Sequence, residues 1–260
     1  MNLCIDVGNT TIGVGFFEKE TLVKRVTYTV ELKRTNDEYQ SVINRTLKEN
    51  GFDAKQIERI ILSSVVPSIN RPLTQALKAV FDLEPMMIAP GIKTGLTVHV
   101  DNPNEIGNDL IAVMVGAKEK YGYPCLIADL GTASKVLLID NTGSFSSCVI
   151  MPGLSLSINS LINKAALLPE ISLKTPKTIL AKNTIDAMNA GVVFGHADMI
   201  KGAIERYEQT LGYKCQHILT GGSAIYIKEI LPDFMYEPNI CLEGLNCIIK
   251  RNEERKYEKK

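Results

Sequence analysis

Residues 2–10 read Asn2-Leu3-Cys4-Ile5-Asp6-Val7-Gly8-Asn9-Thr10, and residues 125–132 read Cys125-Leu126-Ile127-Ala128-Asp129-Leu130-Gly131-Thr132. Each is a short apolar run closed by Asp-x-Gly and then a threonine, at i+4 from the aspartate in the first copy and i+3 in the second. Runs of this length and content read as strands. Each is followed by a second strand-like run, residues 11–18 and 134–140. Both copies therefore read as a hairpin opening a domain. The repeat predicts two related domains facing each other, bounded at residues 1–117 and 118–248, with a charged tail over 249–260.

Outside the hairpins the pattern alternates between helix and strand. Residues 36–50 carry an amphipathic helix ending near Gly51. Residues 59–66 form a strand stopped by Pro67, 70–83 a helix, 86–90 a short strand, and 107–122 a helix ending at Gly122. In the second half, helices are expected near 155–165 and from Thr184 to about Leu211, then a strand over 215–224 that runs into glycines. Strands alternating with helices imply an α/β architecture. Residues 250–260 are charged and read as a frayed end.

Composition removes several functions. Lys plus Arg equals Asp plus Glu, 29 each, so no net charge draws the chain to nucleic acid or anionic lipid. None of the six cysteines forms a C-x-x-C pair, which argues against zinc or thioredoxin-like chemistry. The first residues carry no basic and apolar leader, and no apolar stretch is long enough to span a bilayer. The cytoplasm is the simplest compartment.

The turns carry the chemistry. Glycine in a turn lets the backbone approach a phosphate, because no Cβ intrudes. Asn9 and Thr10 can donate to phosphate oxygens, and Asp6 at a strand end suits hydrated magnesium. One copy alone is equally an ordinary turn, where Asp, Gly and Asn are common. Two copies, followed by Thr220-Gly221-Gly222 after a late strand, make a three-part signature. Neither a P-loop nor a G-x-G-x-x-G motif occurs. The signature resembles the superfamily of acetate and sugar kinases, Hsp70 and actin. There, facing turns clamp the nucleotide phosphates and the late glycine pair borders the adenosine.

Residues 103–110 read PNEIGNDL and place Asp109 in the first turn of a helix, just after Gly107. A carboxylate there can accept a substrate hydroxyl proton during phosphoryl transfer, and the helix N-terminus favours its ionised form. By itself this is an ordinary helix-start aspartate.

Taken together, DVGNT at 6–10, SSVVPSI at 63–69, PGIKTGL at 90–96, NPNEIGND at 102–109, DLGTA at 129–133, MPGL at 151–154, NTIDAMNAG at 183–191, LTGG at 219–222 and LEGL at 242–245 resemble the type III pantothenate kinase family. LP at 168–169 extends the match, which runs in order over nearly the whole chain. The resemblance implies two ribonuclease-H-like domains, with mixed sheets flanked by helices in an actin-like ATPase fold, and a homodimer. It implies transfer of the ATP γ-phosphate to pantothenate, giving 4′-phosphopantothenate, the first step of coenzyme A biosynthesis. By the same resemblance Asp6, Val7, Gly8, Asn9, Thr10, Thr11, Ile12 and Gly13 hold the phosphates, Asp6 reaching magnesium through water, and Thr132 touches ATP. Asp109 is the base. Gly107, Asn108, Asp109, Leu110 and Thr184 line pantothenate, and Asp129 binds a monovalent cation, potassium or ammonium.

The chain departs from that pattern at Leu110, where the family has arginine, and at Val100, where a tyrosine is common. Ser134-Lys135 stand for two threonines, and Ser223 for an acidic residue. Leucine cannot supply the directed fork of a guanidinium. The phosphate side is thus better kept than the acceptor side. Other readings on the same fold are another small alcohol acceptor, a phosphatase or hydrolase, and a non-catalytic nucleotide-binding regulator. The retained Asp6, Asp109 and Asp129 speak for an enzyme, and Asp109 with Thr184 for a kinase.

Lys135 lies six residues after Asp129, on the same strand face if the run is regular. We read it as a solvated strand lysine, the usual state of lysine. The alternative is an ammonium standing in for the monovalent cation. His99, His196 and His217 show no triad or metal spacing, and His196 is expected in a core or dimer interface. Residues 154–168 read as a buried helix face, a region that in the family forms part of the dimer contact.

Overall fold

The computed structural model describes residues 1–89 and 91–258. Pro90, the last residue of the expected 86–90 strand and the first of the 90–96 motif, lies outside them, as do Lys259 and Lys260 of the expected tail. In chain order the elements are β1 (Asn2–Val7), β2 (Thr11–Glu18), β3 (Thr21–Thr29), α1 (Asn36–Asn50), β4 (Arg59–Ser64), α2 (Pro67–Phe81), β5 (Met86–Met87) and β6 (Thr97–Val98). There follow α3 (Asn108–Tyr121), β7 (Cys125–Leu130), β8 (Ala133–Ile139), β9 (Ser144–Pro152), α4 (Leu154–Lys164), α5 (Thr184–Leu211), β10 (Gln216–Thr220), β11 (Met235–Tyr236) and α6 (Ile240–Glu258).

Packing divides the chain into two units that are not continuous in sequence. The first holds Met1–Leu96, Asn102–Glu119 and the chain from Ile240; the second holds Thr97–Asp101 and Lys120–Asn239. This differs from the contiguous division 1–117, 118–248 and 249–260 chiefly in α6, which packs with the first unit.

The first unit is a sheet in the order β3-β2-β1-β4-β5, in which β1 runs antiparallel to β2 and parallel to β4. Strands covered on both faces read as continuous apolar runs, and this is why β1 is apolar from Leu3 to Ile5 and again at Val7. Leu3, Ile5 and Val7 face a core with Leu73 and Leu77 of α2. Cys4 and Ile61 face the other way, onto Ala112 and Val115 of α3 and Leu242, Leu245 and Ile248 of α6. Each fully buried leucine or isoleucine contributes about 1.5–3 kcal/mol. That burial fixes the stretch from Leu242 to Ile249 against the first sheet. Asn252 adds a reciprocal pair of hydrogen bonds with the Lys93 backbone, at 3.0 and 3.1 Å. Arg251 pairs with Glu119, and Glu253 with Arg59. α3 and α6 cross at Gly116 and Gly244, where a Cβ would strike the facing backbone.

Helix boundaries follow the local chemistry. α1 starts with a reciprocal capping box between Thr35 and Glu38 and ends at Gly51 in the left-handed region. Pro67, expected as a strand stop, is also the first residue of α2, where its missing N–H costs nothing. β3 escaped the sequence pattern because it is an edge strand with most side chains exposed.

The second unit repeats the plan. Its sheet runs β11-β10-β7-β8-β9-β6, so β9-β8-β7-β10-β11 retraces β3-β2-β1-β4-β5. β7 is antiparallel to β8 and parallel to β10, as β1 is to β2 and β4. Leu126, Ala128, Leu130, Val136 and Leu138 face one way, into a core with α4 and α5. The expected α/β class of two mixed sheets flanked by helices is borne out. Among the described residues no helix is long and apolar enough to cross a membrane.

Candidate active site

The two turns grow out of the same register. In the first unit Asp6 sits opposite Gly13 on β2 and beside Ser63 on β4. In the second, Asp129 sits opposite Lys135 on β8 and beside Thr220 on β10. The first turn is Gly8-Asn9-Thr10, closed by Gly8 N donating to Thr11 O at 3.0 Å. The second is one residue shorter, Gly131-Thr132, closed by Gly131 N to Ala133 O at 3.2 Å. That missing residue is why threonine falls at i+4 in one copy and i+3 in the other.

The expected phosphate residues divide by burial. Asn9, Thr10, Thr11 and Thr132 are exposed, with Gly8 and Gly13 half-buried beside them. Val7 and Ile12 point into the first core. Their side chains hold the hairpin, so only their backbone groups are available to a phosphate.

Two glycines shape the second turn. Gly221 has φ +91°, and a Cβ on it would lie 2.5 Å from Leu130 N, against the end of β7. A Cβ on Gly153, which precedes α4, would collide with the carbonyl oxygens of Gly131 and Thr132. Both positions demand close approach of backbone to backbone. Gly221 belonged to the sequence signature. Gly153 entered only within the MPGL match, and nothing local in the sequence announces its contact.

Asp109 stands in the first turn of α3, where the Gly107 carbonyl accepts from Leu110 N at 3.0 Å and Ile111 N at 3.2 Å. Its carboxylate folds back over Gly107, so that a Cβ at 107 would collide with Asp109 Oδ1. The next residues, Ala112 to Ala117, are buried. A half-buried carboxylate is thus held at the positive end of a helix fixed in a core. Asn108 and Leu110 are half-buried beside it, and Leu110 contributes no polar group. Thr184 is exposed at the first position of α5, behind the Asn183 cap, whose Oδ1 accepts from Asp186 N at 2.9 Å.

Lys135 corrects the expectation of a solvated lysine. It is on β8, the strand antiparallel to that of Asp129, and its Nζ lies 3.3 Å from Asp129 Oδ2. The side chains are 18% and 13% exposed. The register of the hairpin, set by its two-residue turn, makes the pair, and a separation of six in sequence does not reveal it.

His196 is buried in α5, its Nε2 2.7 Å from Ser134 Oγ, which ties the start of β8 to the helix behind it. Burial lowers its pKa, so the imidazole is held neutral. α4 buries only Leu154 and Ile158, leaving Leu156 and Leu161 exposed, and ends at Lys164. The expected buried face over 154–168 is therefore one-sided.

These features agree with comparisons to known proteins. The family model described as type III pantothenate kinase matches residues 2–206. A protein of that name from Exiguobacterium sp. strain AT1b is 37% identical over 255 residues, covering 98% of this chain and 100% of its own. Among solved structures, a candidate 2-dehydro-3-deoxygalactonokinase from Sinorhizobium meliloti superposes with a TM-score of 0.61 at 11% identity, covering 96% of each chain. MreB 5 of Spiroplasma citri, solved with AMPPNP, gives 0.52 at 11% identity and 98% of each chain. The two structures identify the actin-like ATPase and sugar-kinase fold. With the motifs in order over the whole length and a relative this similar from end to end, the chain belongs to the type III pantothenate kinase family.

Proposed function

We propose that this chain transfers the γ-phosphate of ATP to the terminal hydroxyl of pantothenate, making 4′-phosphopantothenate for coenzyme A synthesis. The observation that carries the reading is Asp109, a carboxylate held on the first turn of a buried helix, in a chain with two Asp-x-Gly phosphate turns. Asp109 accepts the hydroxyl proton, the alkoxide oxygen bonds to the γ-phosphorus, and the bond to the β-phosphate oxygen breaks with ADP as leaving group. In a loose transition state positioning and charge stabilisation supply most of the rate, so a carboxylate of ordinary basicity suffices.

The backbone of residues 6–13 and the hydroxyls of Thr10, Thr11 and Thr132 are the phosphate donors in this reading. Asp6 fits magnesium. It stands near a strand end, and a Cβ built on Gly13 opposite it meets nothing within 4 Å. Among the described residues no three of His, Cys, Asp and Glu gather as a metal site. Magnesium would thus be held by one carboxylate, waters and substrate phosphates, as this ion usually is. When bound, it would neutralise charge developing on the phosphates. Gly107, Asn108, Leu110 and Thr184 are the pantothenate contacts.

The monovalent cation implied at Asp129 fits poorly. The carboxylate already carries the Lys135 ammonium at 3.3 Å. A second unit charge about 4 Å from that ammonium would be repelled by about 4 kcal/mol at an effective dielectric of about 20.

We take the partner to be a second copy of the chain. The exposed Val149 and Ile150 of β9 and Leu156 and Leu161 of α4 offer an apolar surface for it. Sedimentation equilibrium is expected to give the mass of two chains. The six cysteines are free thiols, which suits the reducing cytoplasm.

The test is formation of phosphopantothenate from ATP, magnesium and pantothenate, followed by mass spectrometry. Asp109→Asn is expected to lower turnover about 10²–10⁴-fold with melting temperature unchanged. A wild type that makes none would contradict the reading. Leu110, which lacks the arginine fork, favours a second one with another small alcohol as acceptor.

A further inference from the structure

We propose that Lys135 is a tethered monovalent cation and that this enzyme needs neither potassium nor ammonium. The inference rests on the kinase reading of the two turns. Lys135 stands directly opposite Asp129 across β7 and β8, with Nζ 3.3 Å from Oδ2 and both side chains mostly buried. The pair lies on the face of the sheet turned away from the α4 and α5 core, since Leu130, Val136 and Leu138 point into that core and their strand neighbours do not.

Its place along the strands matters more than its burial. Asp129 is followed by Leu130 and the turn Gly131-Thr132, and Lys135 returns two residues after Ala133. A fixed positive charge therefore stands at the base of the turn that would receive phosphate. An alkylammonium carries the same single charge as potassium or free ammonium and presents three donors. It neutralises Asp129, so that no net negative charge stands beside the turn to repel phosphate. The tether makes its local concentration independent of the medium.

The fold does not require a lysine there. The equivalent position of the first hairpin, opposite Asp6, is Gly13, and that hairpin has the same strand order. The charge at 135 is thus a property of the second turn and its ligand rather than of hairpin formation.

The full chain is dialysed into buffer whose only monovalent cation is tetramethylammonium. MgATP binding by calorimetry and phosphopantothenate formation are then measured with and without potassium or ammonium chloride, at constant ionic strength. Wild type is expected to change by less than about twofold in both readouts, the residue of ordinary screening. Lys135→Thr is expected to lose about tenfold or more in MgATP affinity without potassium, and to regain it with potassium or ammonium. Lys135→Arg keeps the charge and is expected to stay potassium-independent. A wild type that binds MgATP or turns over only with potassium overturns the inference. So does a folded Lys135→Thr that is indifferent to every cation and as active as wild type, because the pair would then be structural. If Lys135→Thr fails to fold, wild type and Lys135→Arg decide. If no condition yields phosphopantothenate, the acceptor reading has failed, and the cation dependence of MgATP binding still tests Lys135.

Discussion

The two hairpins share a backbone plan and differ in charge. Each aspartate ends a central strand, faces an antiparallel neighbour and flanks a parallel one. Opposite Asp6 is a glycine on which a Cβ would meet nothing within 4 Å; opposite Asp129 is a lysine within ion-pair distance. In the proposed reading, the glycine puts no cross-strand side chain in the way of a hydrated divalent ion at Asp6. The second neutralises its carboxylate from within the chain. A duplicated scaffold thus keeps its hydrogen-bond register, which burial on both faces enforces, and diverges in the cross-strand partner, which function sets.

Making the first hairpin like the second is the most severe way to break that difference. Gly13→Lys would put an ammonium on the strand position opposite Asp6, where a Cβ meets nothing within 4 Å. Turnover is expected to fall about 100-fold or more, in the range of lost electrostatic stabilisation, with the melting temperature nearly unchanged. A variant as active as wild type, with the same magnesium dependence, would show that Asp6 does not hold the metal.

The parallel neighbours give a second contrast. Ser64 at the end of β4 has room for its side chain, and its Oγ accepts from Val66 N at 3.1 Å. The matching position after Thr220 is Gly221, with its positive φ and its contact on Leu130. Gly221→Ser is therefore expected to destabilise the fold by about 2–4 kcal/mol and to weaken MgATP binding. Urea denaturation checks the first effect, and calorimetry the second.

A smaller effect concerns how β10 is anchored. Burial raises the pKa of Glu208, but bonds from Lys214 Nζ at 2.6 Å, Cys215 N at 3.0 Å and His217 Nε2 at 2.9 Å overcome that and lower it to about 2. A depressed folded pKa gives stability that is present above the unfolded value near 4.5 and is lost as pH falls toward 2. Thermal melts are expected to lose about 2 kcal/mol from this group between those limits, discounted for the exposed Lys214. Glu208→Gln should flatten that part of the profile. An unchanged acid limb in the variant would remove the account.

Much of this was legible in the sequence. The two Asp-x-Gly turns stood out because strand runs and turn residues are local signals, and Asp109 because helix starts favour acids. What stayed hidden was non-local. The ion pair of Lys135 needs the register of β7 and β8, which the one-residue difference in turn length decides. The expected charged tail, 249–260, begins inside α6, and the strands that α6 covers, β1 and β4, lie at the other end of the chain. Gly153 and Gly244 carry no mark of the backbone each must approach. Val7 and Ile12 fell within a motif that names a site, while their burial assigns their side chains to the core.

The most direct measurement follows the label of [γ-32P]ATP in the presence and absence of pantothenate. Label is expected to leave ATP only when pantothenate is present, and to be recovered in phosphopantothenate. Release as inorganic phosphate without pantothenate, or retention in ATP that is bound but never turned over, would contradict the kinase reading.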